Sequence, residues 1–406
     1  MAYGAALGDP ESAAAAALGE AVERYCGNAV PDDLQYETGT TLARRDHTVL
    51  DPAELTLYSD RQYATQGFPF TRYTSELRLT WIGTRDLITG EDVLVPDQLV
   101  HLNRRTFRRP PEPAITPVRY AGIAAGPTQN AAILTALLEV IERDAVTLWW
   151  HSGAQAVPVQ LHRCPNLGPL LADPMADALT YSLWLLPSTG IAPVVGALVR
   201  DRQHDVLAFG SACRATTPAA AIKAVTEALQ ILTLARELLD PYSNIYQAAE
   251  RGIAETQTYK PHRPDRRYLD DYRTDRRDLH DLGTHAQIYL DPRMHAVTLD
   301  RLDPDRLAPL TADAPLPEVA GDLLASCLAA LAAQGQRVLT ADITTSDVAA
   351  AGLHVARVIV PGWYGNAPAA FPYLGGRRLY QEPHARGWIP HPLTEDNLVR
   401  DPLPFA

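Results

Sequence analysis

One phrase occurs twice in this chain: ALGEAVER at Ala17–Arg24 and ALLEVIER at Ala136–Arg143. Both copies read Ala-Leu-x-Glu-x-x-Glu-Arg. On a helix, residues at i and i+3 project from one side, so each copy presents two carboxylates together: Glu20 with Glu23, and Glu139 with Glu142. Upstream on the same sides stand small residues, Ala13 and Ala16 in the first copy, Ala132 and Thr135 in the second. They would let another helix or a ligand come close. A third helical stretch, AAAIKAVTEALQILTLAREL, repeats the theme more loosely with Lys223, Glu227 and Gln230 on one side.

Two readings of the repeat compete. Glu20–Arg24 and Glu139–Arg143 are i,i+4 pairs in the favoured orientation, worth about 0.2–0.5 kcal/mol each on an exposed helix. Surface pairing does not require the Ala-Leu spacing to be copied as well. The sharper reading is that the acidic faces converge in space. Gathered carboxylates repel and need cations between them, and Mg²⁺ is the natural candidate because it takes hard oxygen ligands and bridges to phosphates. Neither G-x-x-x-x-G-K-[ST] nor G-x-G-x-x-G occurs, so any nucleotide cradle here is not of the Walker or dinucleotide type.

Composition narrows the classes. The 406 residues are 46% hydrophobic and 21% charged, ordinary for a globular enzyme. A net charge of −12 disfavours a nucleic-acid partner, since no basic face is left to neutralise phosphates. The N-terminus lacks the basic and apolar regions of a signal peptide, and no apolar run approaches a membrane span. A cytoplasmic protein is expected. Cys26, Cys164, Cys213 and Cys327 are scattered without a C-x-x-C pair, as for buried thiols rather than a zinc or redox site.

Local patterns predict an α+β chain. Asp9 and Ser12 are candidate caps of the first acidic helix. ELRLTWIG, DLITGEDVLVP and DQLVHLN read as strands, with LITGED as a hairpin turn. A helix is expected around Gln129–Trp150, with Trp149 and Trp150 in the core, and a second hairpin in IAPVVGALVRD and DVLAFGSACRA. Pro218 suits the first turn of the third long helix. Residues 248–285, dense in Arg, Asp and Tyr, read as a charged, solvated and mobile insertion. The end resumes a β-α-β rhythm: EVAGDLLASCLAALAAQG as helix, RVLTADIT as strand, SDVAAAGLH as short helix, VARVIVPG as strand. Residues 391–406 form a proline-bearing tail. His47, His101, His151 and His354 lie in no catalytic spacing.

These residues resemble the YcaO family, ATP-dependent enzymes that modify peptide backbone amides. ALGEAVERY resembles its first acidic helix, with YSDRQY and WIGTRDLITGEDVLVP following in order. GIAAGPTQNAAILTALLEVIERDAVTLWW resembles the second acidic helix and GSACRATTPAAAIKAVTEALQ the third; DITTSDVAAAGLHVARVIVPG and LGGRRLYQEP complete the series. The resemblance implies one domain over 1–406, in which β-sheets pack with long Ala-rich acidic helices around a central nucleotide and Mg²⁺ site. It is nearest to the thiazole/oxazole-forming cyclodehydratases. In that reaction a Cys, Ser or Thr side chain of a ribosomal precursor peptide attacks the preceding amide carbonyl. ATP then activates the amide oxygen, whose departure leaves an azoline. Such relatives work with a separate leader-recognition partner, and a homodimer is compatible with the resemblance. By motif match, Glu20, Glu23, Glu139 and Glu142 would hold Mg²⁺ or nucleotide, and Arg143 with Arg377 or Arg378 would touch phosphate. Glu227 and Gln230 would face the same site, and Pro402 and Pro404 would bring the chain end near it.

Several positions depart from the pattern. AALGD replaces the family's Gly-Lys-Gly opening, Ala16 stands where serine is usual, and Tyr120-Ala121-Gly122 replaces Ser-Asn-Gly. Pro127-Thr128 replaces Asn-Thr, Ala131 stands for a glutamate, and Gln381 for an acidic residue that Glu382 supplies with a one-residue shift. The chain starts almost at the first motif, without the β segment or winged-helix domain seen in relatives. Two expectations therefore stand side by side. One is an active cyclodehydratase. The other is a nucleotide-deficient scaffold or peptide-binding subunit for an active paralogue.

Overall fold

The computed structural model describes residues 4–55, 57–103, 111–171, 178–251, 259–302 and 314–404. Among them ten strands form two antiparallel sheets. In chain order these are β1 (Gln35–Thr38), β2 (Arg78–Asp86), β3 (Asp92–Pro96), β4 (Ile123–Gly126) and β5 (Val157–Val159). Then come β6 (Leu179–Leu185), β7 (Val194–Asp201), β8 (Val206–Cys213), β9 (Leu339–Asp342) and β10 (His354–Ile359). The first sheet runs β1-β2-β9-β10-β4 with β3 also on β2; the second runs β5-β6-β7-β8. Each sheet therefore has an edge strand near the acidic helices, β4 in one and β8 in the other.

Five helices position the site: α1 (Pro10–Asn28), α2 (Gln129–Ser152), α3 (Thr217–Leu239), α4 (Leu323–Ala333) and α5 (Arg378–Ala385). Most of their starts are written in short polar residues. Asp9 accepts the Ser12 amide at 3.0 Å, Thr128 the Ala131 amide at 3.2 Å, and Thr216 the Ala219 amide at 3.3 Å, each satisfying an otherwise orphaned donor of the first turn. Of the two candidate caps of α1, Asp9 serves and Ser12 lies inside the helix.

The layering follows from which side chains share a core. Val22 and Cys26 of α1 pack with Ile123, Leu339 and Val355 on one face of the first sheet. Ala124, Ala356 and Val358, on its other face, pack with α2. The same α2 cluster takes in Leu198, Leu207 and Phe209 of the second sheet. Val195, Val199 and Ala208 turn the opposite way, onto Ala220, Ala224 and Ala228 of α3. The order is thus α1, sheet, α2, sheet, α3. A helix between two sheets must be apolar nearly all round, and α2 is buried without a break from Asp144 to Ser152. Trp149 and Trp150 are fully enclosed there. Arg301 lies 4.8 and 4.3 Å from their ring centres and donates to the carbonyls of both, at 2.8 and 2.9 Å.

Both hairpins form, β2–β3 with Arg85 opposite Asp92 and β7–β8 with Asp201 opposite Val206. DQLVHLN is not a strand but a 3-10 turn, Asp97–Leu99. The Asp97 carbonyl accepts the Val100 and His101 amides, and its carboxylate binds His101 Nδ1 at 2.5 Å. Such local bonds compete with a ladder. The helix in EVAGDLLASCLAALAAQG begins only at Leu323, where Asp322 caps it. All four cysteines are buried free thiols.

Within the charged stretch 248–285, residues 252–258 lie outside the described residues. Beyond them Tyr268, Tyr272 and Leu279 are buried in the α3 core. The arginines pair within the segment, as in Arg263–Asp271 at 2.6 Å and Arg267–Asp270 at 2.8 Å. The tail is pinned: Trp150 donates to the Asp401 carbonyl at 2.7 Å, Tyr289 to the Pro402 carbonyl at 2.8 Å, and Leu403 joins the central core.

Candidate functional site

The duplicated phrase meets itself at the open edge of β4. Ala124 pairs with Ala356 across the ladder, so the next amide, on Ala125, points away from the sheet. Glu23 of α1 accepts it at 2.9 Å. From the other face Glu139 of α2 accepts the Gly122 amide at 2.8 Å. Gly122 has φ +91°, and a Cβ there would lie 2.6 Å from the Val358 carbonyl oxygen. No other residue type suits both demands. The two glutamates thus satisfy backbone donors that an edge strand would otherwise leave bare.

The charge this gathers is visible in the protonation behaviour. Burial pushes the Glu23 carboxyl up to about 7; repulsion from Glu139 and Glu20 adds to this, and the Ala125 bond opposes it. Glu139 is also raised, by burial, against the pull of Arg143 and the Gly122 amide. Arg143 is held above its ordinary range despite burial, because Glu142, Glu139 and Glu227 surround it. Its Nη1 lies 3.4 Å from Glu142 and its Nε 3.9 Å from Glu139.

The third helix reaches the same ground through β8. Ser211 Oγ donates to the buried Glu142 at 2.6 Å. At the neighbouring Gly210 an added Cβ would lie 2.4 Å from the Ala224 carbonyl oxygen and 2.8 Å from Glu227 Cβ. The missing side chain lets α3 rest on the strand and brings Glu227 within reach of Arg143. Glu227 also pairs with Lys223 at 2.5 Å. Gln230 is half-buried one turn further on.

Other expected residues are placed elsewhere. Glu20 lies toward the surface, paired with Arg24 at 3.0 Å. Arg377 is exposed. Arg378 turns to Asp144, gripping both carboxylate oxygens at 2.7 and 2.8 Å. Its Nε meets Glu382 at 2.6 Å, and Glu382 in turn binds Arg386 at 2.6 Å. Asp144 and Glu382 hold Arg378 above its ordinary range against burial. With Trp363, Gln334 and Gln336, the residues Arg378, Glu382 and Arg386 line an open cleft of about 350 Å³. A narrower pit beside Arg143 shares Trp363 as a wall.

Among the described residues, no three His, Cys, Asp or Glu side chains stand close enough to hold a metal ion alone. Glu23 and Glu139, one from each helix, are near enough for Glu139 to push the Glu23 carboxyl up, and a hard cation held by only two carboxylates completes its coordination with phosphate oxygens and water. That is the ordinary habit of Mg²⁺. Ala16 is exposed and Ala131 half-exposed, and neither supplies a polar side-chain atom.

Sequence reasoning missed Asp144, Ser211, Arg119 and Arg357. Asp144 and Arg357 did carry a signal, each a charge set in or against an apolar run, in ERDAVTLWW and VARVIVPG.

A family model described as YcaO cyclodehydratase, ATP- and Mg²⁺-binding, matches residues 7–364. The chain belongs to the YcaO family. A curated relative, an uncharacterized protein in the tfuA 3′ region of Rhizobium leguminosarum bv. trifolii, is 26% identical over 261 residues, covering 61% of this chain and 59% of that one. Among solved structures, a heterocyclase in complex with substrate and cofactor superposes with TM-score 0.69 at 23% identity, over 97% of this chain and 48% of that one. The heterocyclase TruD gives 0.65 at 22%, over 96% and 50%. YcaO from Methanopyrus kandleri, bound with AMPPCP and Mg²⁺, gives 0.55 at 20%, over 88% and 80%. These likenesses show a shared YcaO fold. The chain spans about half the length of the heterocyclases and 59% of the Rhizobium protein. Among the described residues no helix is long and apolar enough to cross a membrane.

Proposed function

We propose that this chain is an ATP- and Mg²⁺-dependent cyclodehydratase that converts Cys, Ser or Thr residues of a ribosomal precursor peptide to azolines. The observation that carries the proposal is the meeting of Glu23, Glu139, Glu142, Arg143 and Glu227 from three helices at the facing sheet edges. The amide oxygen is a poor leaving group, and Mg-ATP, when bound, would supply the phosphoryl group that makes it a good one. Glu23 and Glu139 would hold the metal, and their amide bonds fix them in place beforehand, so little ordering remains at the moment of binding. Arg143, set between carboxylates, stays charged and is positioned to answer developing negative charge. The Asp144–Arg378–Glu382 chain braces α5 against α2 and shapes the cleft beside Trp363. Leader recognition by a separate partner protein is part of the proposal.

The test is incubation of the chain with its precursor peptide, a leader-binding partner, Mg²⁺ and ATP. A loss of about 18 Da per ring, one water, is expected in the peptide's mass. The absence of both mass loss and ATP turnover would refute it.

A second reading has its own support. Ala16, Pro127 and Ala131 remove polar groups from the nucleotide side, and Arg378 is already saturated by Asp144 and Glu382. On that reading the chain is a peptide-binding partner subunit of an active paralogue. Calorimetry with Mg-ATP separates the two, since micromolar binding to the isolated chain excludes the second.

A further inference from the structure

The cleft of about 350 Å³ beside α5 is polar, yet its charges are answered within its own walls. Arg378 commits its guanidinium to both Asp144 oxygens and to Glu382. Arg386 meets the other Glu382 oxygen at 2.6 Å. Against burial, Arg378 and Arg386 hold the Glu382 carboxyl below its ordinary range. A phosphate entering here would find the guanidinium partners it needs already taken.

The opposite wall is built by a helix end. At the close of α4 the Gln336 amide donates to the Leu331 carbonyl at 3.0 Å and the Gly335 amide to the Ala332 carbonyl at 2.9 Å. Gly335 stands in the left-handed region at φ +68°, the usual way a helix stops at a glycine. The turn sets Gln334 and Gln336 on either side of Gly335, and both line the cleft. Gln336 Oε1 accepts the Trp363 indole N–H at 3.1 Å. The exposed Gln334 side-chain amide makes no hydrogen bond among the described residues.

A side-chain amide carries both an acceptor and donors, the same groups as a peptide bond, so it can pair with an extended backbone whatever the side chains. The C-terminal end of a helix also bears partial negative charge, which suits peptide N–H groups and repels phosphate. Trp363, 3% exposed, forms a further wall and also bounds the pit beside Arg143. A segment lying in the cleft is therefore one indole away from that pit.

We propose that this cleft takes an extended, uncharged stretch of peptide, with Gln334 reading its backbone rather than its side chains. The occupant rests on the cyclisation reading: it is the stretch of precursor beside the residue to be cyclised. Segments rich in Gly, Ser, Thr and Cys fit. A charged side chain would enter among arginines and carboxylates that already satisfy one another.

The test is fluorescence anisotropy with the full chain and no ATP. The probes are rhodamine-labelled, C-amidated hexapeptides: Gly-Ser-Thr-Gly-Ser-Thr, the same residues shuffled, the parent with one Ser replaced by Asp, and the parent with N-methylated backbone amides. The parent should bind saturably and the shuffled peptide within about twofold of it, while N-methylation should weaken binding at least about fivefold, as for one or two lost hydrogen bonds. Gln334→Ala should weaken the parent by a similar factor, with Gln334→Asn in between. No saturable binding, loss of binding on shuffling, tighter binding of the Asp peptide, or indifference to N-methylation or to Gln334→Ala overturns the proposal. Peptide that binds in this way but never loses water with ATP would sink the cyclisation reading alone. Rings formed by a chain whose peptide affinity ignores Gln334 would do the reverse.

Discussion

Glu23 and Glu139 grip the same edge strand from opposite faces of one sheet, Glu23 at the Ala125 amide and Glu139 at the Gly122 amide, 2.9 and 2.8 Å away. Two helices far apart in sequence are tied by the same residue type to backbone groups three positions apart. The repeat is legible as this meeting, because both copies need a carboxylate that reaches past the helix to a bare N–H.

The first prediction concerns pH. Glu23 has a folded-state value of about 7 against an ordinary 4.5. Between those values the folded chain binds more protons than the unfolded one, so stability falls as pH rises from about 4.5 to 7 and levels off above. The full effect is on the order of 3 kcal/mol as an upper bound. Glu23→Gln keeps a neutral acceptor for the Ala125 amide, and its stability relative to wild type should climb across that window. Urea midpoints of both proteins at stepped pH check this; parallel curves would refute it.

A second prediction follows from Asp144, which is 1% exposed and held by both arms of Arg378. Asp144→Ala leaves a largely buried guanidinium facing a void and should destabilise by about 3–5 kcal/mol. Replacing both partners, Asp144→Leu with Arg378→Met, should cost clearly less, because no charge is stranded. Chemical denaturation of Asp144→Leu, Arg378→Met and the double variant measures the coupling. Strict additivity would mean that the pair contributes nothing specific.

Metal dependence supplies the third. With no three ligating side chains gathered among the described residues, Mg²⁺ alone should not shift the melting temperature beyond an ionic-strength control. Mg²⁺ with ATP should raise it, as any ligand that binds only the folded state does. Differential scanning calorimetry with and without nucleotide decides. A large shift with Mg²⁺ alone would indicate a complete protein-only metal site.

The parts of the fold that could be read in advance depend on neighbours close in sequence. Asp9 reaches an amide three residues on, the LITGED turn joins adjacent strands, and Glu20 and Glu23 share a face by helical spacing. What stayed hidden depends on partners found only after folding. Asp144 and Arg378 are 234 residues apart in the chain. Ser211 gives no hint that Glu142 lies opposite, and Arg119 stands in a loop without periodicity. DQLVHLN misleads because its alternation suggests a strand, while the Asp97–His101 contact closes a turn. Tyr268 and Tyr272 sit amid so many charges that their burial is masked by composition.

Arg143 and Asp144 are successive residues of the central helix, so they leave it about 100° apart. One looks toward the glutamates and the other toward the α5 clamp. Because α2 is wedged between both sheets, a roll about its long axis would advance one of these side chains while withdrawing the other. One buried helix therefore carries both groups, and a substitution that shifts α2 would disturb the carboxylate cluster and the α5 clamp together.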